Sequence, residues 1–144
     1  MKKILFLCFL LALFTALLLL PAAAEVFEGD AVNRDQVNEM VSFNSIQYRL
    51  DTESGELRIF CGESGEQPML SYVYTKWVPW LSDALRGEVE TVVIEKGVTA
   101  IGKNAFFGCE NLREVYIADS VKLIEESVFY GCASLQKIHL QAAR

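Results

Sequence analysis

Residues 89–111 align without a gap on residues 112–134, and this 23-residue repeat constrains the fold more than any other feature of the chain. Ile94, Val98, Ile101, Phe106, Gly108 and Cys109 recur as Ile117, Val121, Ile124, Phe129, Gly131 and Cys132. Val89, Val92 and Ala105 align with Leu112, Val115 and Val128, apolar in both copies. A third copy starts at Leu135 and carries Ile138 and Leu140 before the sequence reaches Arg144. A unit this short cannot bury its own apolar side chains, whereas successive units can cover one another, so the repeat dictates a stack.

Each copy opens on apolar-x-x-apolar-x-apolar, as in Val89/Val92/Ile94, Leu112/Val115/Ile117 and Leu135/Ile138/Leu140. The last two positions differ by two residues and therefore share one face of a strand. The second half of each copy, Val-x-x-Ile followed by Ala-Phe or Val-Phe, is expected as a short helical turn with one buried face. Gly108 and Gly131 follow, where a positive φ lets the chain turn back. Strands of neighbouring copies should pair in parallel about 4.8 Å apart, with Phe106 over Phe129 and Ile101 over Ile124.

The stretches Gly-Val-Thr-Ala-Ile-Gly-Lys-Asn-Ala-Phe-Phe-Gly-Cys-Glu-Asn-Leu and Asp-Ser-Val-Lys-Leu-Ile-Glu-Glu-Ser-Val-Phe-Tyr-Gly-Cys-Ala-Ser-Leu resemble BspA-type leucine-rich repeats. That family turns every 23 residues and bears the same Ala-Phe-x-Gly-Cys signature; the resemblance covers Val89 to Leu140. It implies a β-rich α/β fold: a right-handed leucine-rich-repeat solenoid with parallel strands and short helical turns. It also implies a secreted or cell-surface protein, of the kind that includes adhesins. The chain departs from the family in its short length and in lacking a recognisable wall anchor.

Ahead of the repeats, residues 46–61 alternate apolar and polar on both sides of Thr52-Glu-Ser-Gly55, which predicts a β-hairpin with Gly55 in its turn. Asp51, Glu53 and Glu56 fit no complete calcium-ligand spacing, so the turn is read as solvated. Trp77, Trp80, Leu81 and Leu85 fit one face of a short helix ended by Gly87. Residues 45–88 resemble the region that precedes such repeats in exported bacterial proteins, through Tyr48 and Leu50, Leu57 and Ile59, Pro79-Trp80 and Val92-Val-Ile-Glu95. They are expected to cap the first coil, with the indoles packed in the core rather than stacked on sugar. Residues 25–44, with Val37, Met40 and Val41 at helical spacing, are expected as a flexible lead-in.

At the start of the chain, Lys2 and Lys3 precede an apolar run from Ile4 to Leu20 broken only by Thr15, then Pro21 and Ala22-Ala-Ala24. A charged start, an apolar stretch and an A-x-A site predict an export signal over residues 1–24, cleaved after Ala24; an uncleaved membrane anchor is the alternative. Cleavage leaves 11 basic against 19 acidic side chains. A field of that sign repels nucleic acid.

The residues that remain offer little chemistry. With one histidine, His139, no His-x-x-x-His metal pair exists, and although Cys61, Cys109, Cys132 and His139 number four, the repeat places Cys109 and Cys132 far around the coil from His139, against one tetrahedral site. Neither a metal nor any other cofactor is implied. Cys109 and Cys132 occupy identical positions in adjacent copies, close enough for a disulfide, but parallel in-register side chains rarely reach the required dihedral, so free thiols are favoured. No phosphate loop, nucleophile elbow or acid/base pair appears, and the chain is not read as an enzyme.

A binding surface is the alternative to chemistry. The strand register points Thr91, Val93 and Glu95, then Glu114, Tyr116 and Ala118, then Lys137, His139 and Gln141 away from the core. Val93, Tyr116 and His139 form a row rimmed by charge, the candidate face for an extracellular protein or glycan. Phe107 and Tyr130 make a second row at a position where the repeat does not demand an apolar residue. The third copy leaves an open strand edge, expected to be covered by self-association, by a partner or by further sequence. The chain is thus read as an exported interaction module, in adhesion by family resemblance, with a relic of a longer surface protein as the alternative.

Overall fold

A computed structural model describes residues 25–30, 46–62, 65–72, 74–75 and 78–141. The proposed export signal, the helical spacing at Val37, Met40 and Val41, and Trp77 lie outside the described residues. Among the described residues nine strands form two sheets: β1 (Val26–Asp30), β2 (Ile46–Asp51), β3 (Glu56–Cys61), β4 (Gln67–Pro68), β5 (Thr91–Ile94), β6 (Val98–Ile101), β7 (Glu114–Ile117), β8 (Leu123–Ile124) and β9 (Lys137–Leu140). The larger sheet runs β1-β2-β3-β5-β7-β9 and the smaller β4-β6-β8.

The repeat register is visible in the pairing. β5 and β7 run parallel with Val92 beside Val115 and Ile94 beside Ile117, each 23 residues apart. β7 and β9 continue the ladder with Val115 beside Ile138 and Ile117 beside Leu140. In the smaller sheet Ile101 pairs with Ile124. Between the sheets, Phe106 stacks over Phe129 with ring centroids 5.8 Å apart and planes 13° from parallel. Gly108 and Gly131 have φ of 70° and 77°, so the chain reverses at the same point of each copy.

The hairpin at 46–61 does more than cap. β3 joins β5 in parallel, with Leu57 beside Val92 and Ile59 beside Ile94, so it behaves as a strand of a preceding coil. Its turn is solvated at Glu53 and Ser54 and anchored at Gly55, which is buried and whose carbonyl accepts hydrogen bonds from the amides of Glu90 and Thr91 at 2.8 and 3.0 Å. Asp51 accepts from the amide of Glu53 at 2.9 Å, which closes a local turn.

Four expectations are corrected. The second halves of the copies are not helical: Val98–Ile101 and Leu123–Ile124 are strands, followed by turns. Asn104 and Ser127, again 23 apart, have φ of 59° and 58°, and a left-handed residue stops a helical run before it starts. The Trp80 segment is two short 3-10 turns, Pro79–Leu81 and Arg86–Glu88, because Ser82 leaves helical geometry with ψ of 155°. The lead-in begins as strand β1, whose edge pairing with β2 satisfies its backbone. Ala118 is buried rather than outward-facing, although its amide makes the same ladder bond, to the Ile94 carbonyl at 3.1 Å, as the less buried Glu95 and Gln141 make one coil away.

The core sits between the two sheets and is closed at its first end by Trp80. That indole lies 6.1 Å from Phe106, 5.4 Å from Tyr48 and 6.3 Å from Tyr72. Residues 67–72 lie along β6, with the amides of Met69 and Tyr72 bonded to the carbonyls of Ala100 and Lys103 at 2.9 and 3.0 Å. This close approach explains why Gly102 replaces a side-chain-bearing residue: a Cβ there would overlap the Leu70 carbonyl.

Candidate ligand-binding face

The outward positions of the larger sheet align in rows because its parallel strands keep the repeat register. Arg58, Val93, Tyr116 and His139 stand side by side across β3, β5, β7 and β9. Glu56, Thr91, Glu114 and Lys137 form the adjoining row. The candidate face expected from the sequence comprised Val93, Glu95, Glu114, Tyr116, Lys137 and His139; the register adds Arg58 and Glu56 to the same rows. The Leu57-x-Ile59 spacing, which mimics Val92-x-Ile94, was the signal that could have placed them beside β5.

Tyr116 and His139 stack with ring centroids 4.4 Å apart and planes 6° from parallel. Both reach one carboxylate: the Tyr116 hydroxyl donates to Glu114 Oε2 at 2.8 Å, and His139 Nε2 lies 3.3 Å from the same oxygen. Lys137 Nζ lies 3.5 Å from the other oxygen of Glu114. The hydrogen bond from Tyr116, with His139 and Lys137 beside it, holds the Glu114 carboxyl below its ordinary range. The same bond raises the Tyr116 phenol, because ionising it would place two anions in contact. On the other side of Val93, Arg58 bridges Glu56 at 2.6 Å and Glu95 at 3.0 Å. The face thus has an apolar and aromatic middle whose flanking charges are tied to one another.

Phe107 and Tyr130 stack at 5.2 Å and 17°, with Tyr130 exposed, so the second row is a ring pair lying on the turn side of the coil. The repeat core positions Ile94, Val98, Ile101 and Phe106 are buried, as is Ile117. Their partners Val121 and Phe129 are only half-buried, and Ile124 is 43% exposed, since none of the described residues lies over the second copy's back half. A groove of about 240 Å³ opens there, bounded by Ile117, Val121, Ile124 and Leu140 among others.

Cys61, Cys109 and Cys132 are free thiols. Cys132 donates to the Phe106 carbonyl at 3.2 Å, and burial, with Cys132 nearby, pushes the Cys109 thiol up to about 12. Among the described residues, no three His, Cys, Asp or Glu side chains converge as metal ligands, and no helix is long and apolar enough to cross a membrane.

Residues 86–143 match the family model described as BspA type Leucine rich repeat region (6 copies). A leucine-rich repeat protein from Eubacterium ventriosum has a similar structure, with a TM-score of 0.60 and 24% identity, over 83% of this chain and 26% of that one. A leucine rich cell surface protein from Faecalibacterium prausnitzii matches with a TM-score of 0.39 and 22% identity, over 74% of this chain and 32% of that one. This chain spans about a quarter to a third of the length of these two proteins. No curated protein matches it.

Proposed function

We propose, on the footing of the match of residues 86–143 to the BspA type of leucine-rich repeat, that this chain is a member of that family and an exported, non-catalytic interaction module. In this reading residues 1–24 are the export signal, residues 45–88 close the first coil, and residues 89–144 are turns of a right-handed solenoid. The ligand is an extracellular protein or glycan, met by the outer face of the larger sheet. Adhesion at the cell surface is the role that fits a rigid, exported surface of this kind.

The observation that carries the reading is the stacked Tyr116–His139 pair held upright by Glu114. Side chains fixed before binding lose little rotamer entropy when a partner arrives, and an aromatic on a rigid sheet is a common anchor of interfaces. The mutual pairing of the flanking charges leaves the middle of the row as the easiest surface to desolvate.

The test is capture of extracellular proteins and glycans by the exported chain and by its Tyr116→Ala variant, with circular dichroism as the fold control. A species retained by the parent and lost by the variant supports the face. Equal retention removes it. A second reading, a structural segment within a longer repeat array, draws on the exposure of Ile124, Ile138 and Leu140 at positions buried one coil earlier. Further 23-residue copies encoded downstream would favour that segment.

A further inference from the structure

A cavity of about 240 Å³ opens where the Trp80 segment meets the first coil, lined by Asp83, Arg86, Gly87, Gly108, Glu110 and Asn111. It lies at the turns that lead into β5 and β7, away from the outer face of those strands. Sites for drug-sized ligands span roughly 300–1,000 Å³ and are mostly apolar. This one is smaller, and its lining carries no apolar side chain. A lipid tail or an apolar peptide side chain would find nothing there to bury against.

Two of the polar side chains are held from behind. Arg86 donates through Nε and Nη2 to the Leu81 carbonyl at 3.1 and 2.6 Å. That commits one side of the guanidinium and leaves Nη1 beside Gly108, 3.5 Å from where a Cβ would stand. Asn111 donates through Nδ2 to the Gly87 carbonyl at 2.8 Å, so its side-chain oxygen is fixed as an acceptor. Asp83 and Glu110 are exposed, and among the described residues neither forms an ion pair with Arg86 or with another cation. The repeat does not demand this set: one copy later Glu110 and Asn111 are replaced by Ala133 and Ser134, and Arg86 stands at the position that Cys109 fills in the first copy.

We infer that this cavity is a binding site for one ring of a neutral saccharide, separate from the outer face of the larger sheet. An anion would meet two carboxylates there. A cation would meet a guanidinium that its bonds to Leu81 keep from swinging away. A sugar hydroxyl donates and accepts at once, so neighbouring hydroxyls donate to Asp83 and Glu110 while accepting from Arg86, and no charge is added. The bare backbone at Gly87 and Gly108 lets a ring come close.

The probe is a set of free neutral sugars (glucose, galactose, mannose and N-acetylglucosamine), each titrated into the exported chain while its amide resonances are followed. One ring held by a few hydrogen bonds should bind with a Kd on the order of 1 mM. Binding should move the amides of Gly87, Gly108 and Asn111. Gly87 has open space where a Cβ would stand, so Gly87→Leu fills the cavity without removing a bond, and its dispersed spectrum serves as the fold control. We expect Gly87→Leu to abolish the shifts and Glu110→Ala to weaken binding about tenfold or more. Tyr116→Ala should leave binding unchanged. No shift with any sugar of the set would overturn the site, as would shifts that persist in Gly87→Leu. Tighter binding of glucosamine or of N-acetylneuraminic acid would overturn the neutral class, and loss of binding in Tyr116→Ala would overturn the location.

Discussion

The indole of Trp80 donates to the carbonyl of Ala105 at 2.8 Å while its ring lies against Phe106, so one side chain both covers the first coil and satisfies its backbone. In the next coil the carbonyl of Val128 accepts from the amide of Phe106 at 3.0 Å, a bond for which the residues before the repeats have no equivalent strand. Trp80 supplies it with a side chain.

Two variants separate the parts of that role. Trp80→Phe keeps most of the apolar volume and strands a buried carbonyl, for a cost of about 1–3 kcal/mol. Trp80→Ala also opens a cavity and should cost about 3–5 kcal/mol. Urea unfolding of the full chain should rank them in that order; a Trp80→Phe variant as stable as the parent would mean that the hydrogen bond contributes nothing.

Gly102 and Glu125 occupy the same repeat position with opposite tolerance. Gly102→Ala drives a methyl group into the Leu70 carbonyl, so residues 67–72 must leave β6 or the coil must shift. Overpacking of this kind costs about 1–3 kcal/mol or more, and hydrogen exchange should show the Met69 and Tyr72 amides losing protection. Glu125 accepts from the Lys103 amide at 3.0 Å and from the Ser71 hydroxyl. Its replacement by Ala should cost less, about 1 kcal/mol, and leave β6 protected.

Glu114 sets the titration of its neighbour on the sheet face. Its carboxylate accepts from the Tyr116 hydroxyl and raises that phenol, so Glu114→Gln should bring the Tyr116 transition down toward the ordinary tyrosine range. Ultraviolet titration of the phenol reads this directly. An unmoved transition would dissolve the pairing. The lowered Glu114 carboxyl works in the other direction: its stabilising effect is present above the ordinary carboxyl value and is lost as pH falls through the lower, folded one.

Cys109 makes the fold sensitive to alkali. Burial raises its thiol from the ordinary 9.0 to about 12, so above pH 9 the unfolded chain loses a proton that the folded chain keeps. Stability therefore falls from about pH 9 toward 12. Cys109→Ala should flatten part of that fall in pH-dependent urea unfolding; the raised phenols of Tyr72, Tyr48 and Tyr116 and the raised thiols of Cys61 and Cys132 contribute to the remainder. In alkylation at mild pH, Cys61 and Cys132 should be modified before the buried Cys109.

Much of the architecture was legible from residue spacing. The pairing of Val92 with Val115 and of Phe106 with Phe129 follows from the period alone, because a repeat that buries the same positions must superimpose them. The rows of the candidate face follow from the same register plus strand alternation. The back half of each copy was misread because Val-x-x-Ile suits either period over so short a stretch. What decided it lies outside the pattern: β4 and residues 69–72 offer β6 backbone partners, and Asn104 takes a left-handed conformation stabilised by its bond to the Tyr72 carbonyl at 2.8 Å.

The amino-acid sequence by itself determined that copies stack, which residues stack on which, and which side of each strand faces out. It could do so because those relations repeat, and a repeated local pattern carries its own long-range register. Only the tertiary structure decided that β3 joins the ladder as a strand of an earlier coil, that Trp80 serves a backbone carbonyl, and that Tyr116 and His139 share one carboxylate. Each of those depends on a contact made once, between segments far apart in the chain, where no periodicity announces the partner.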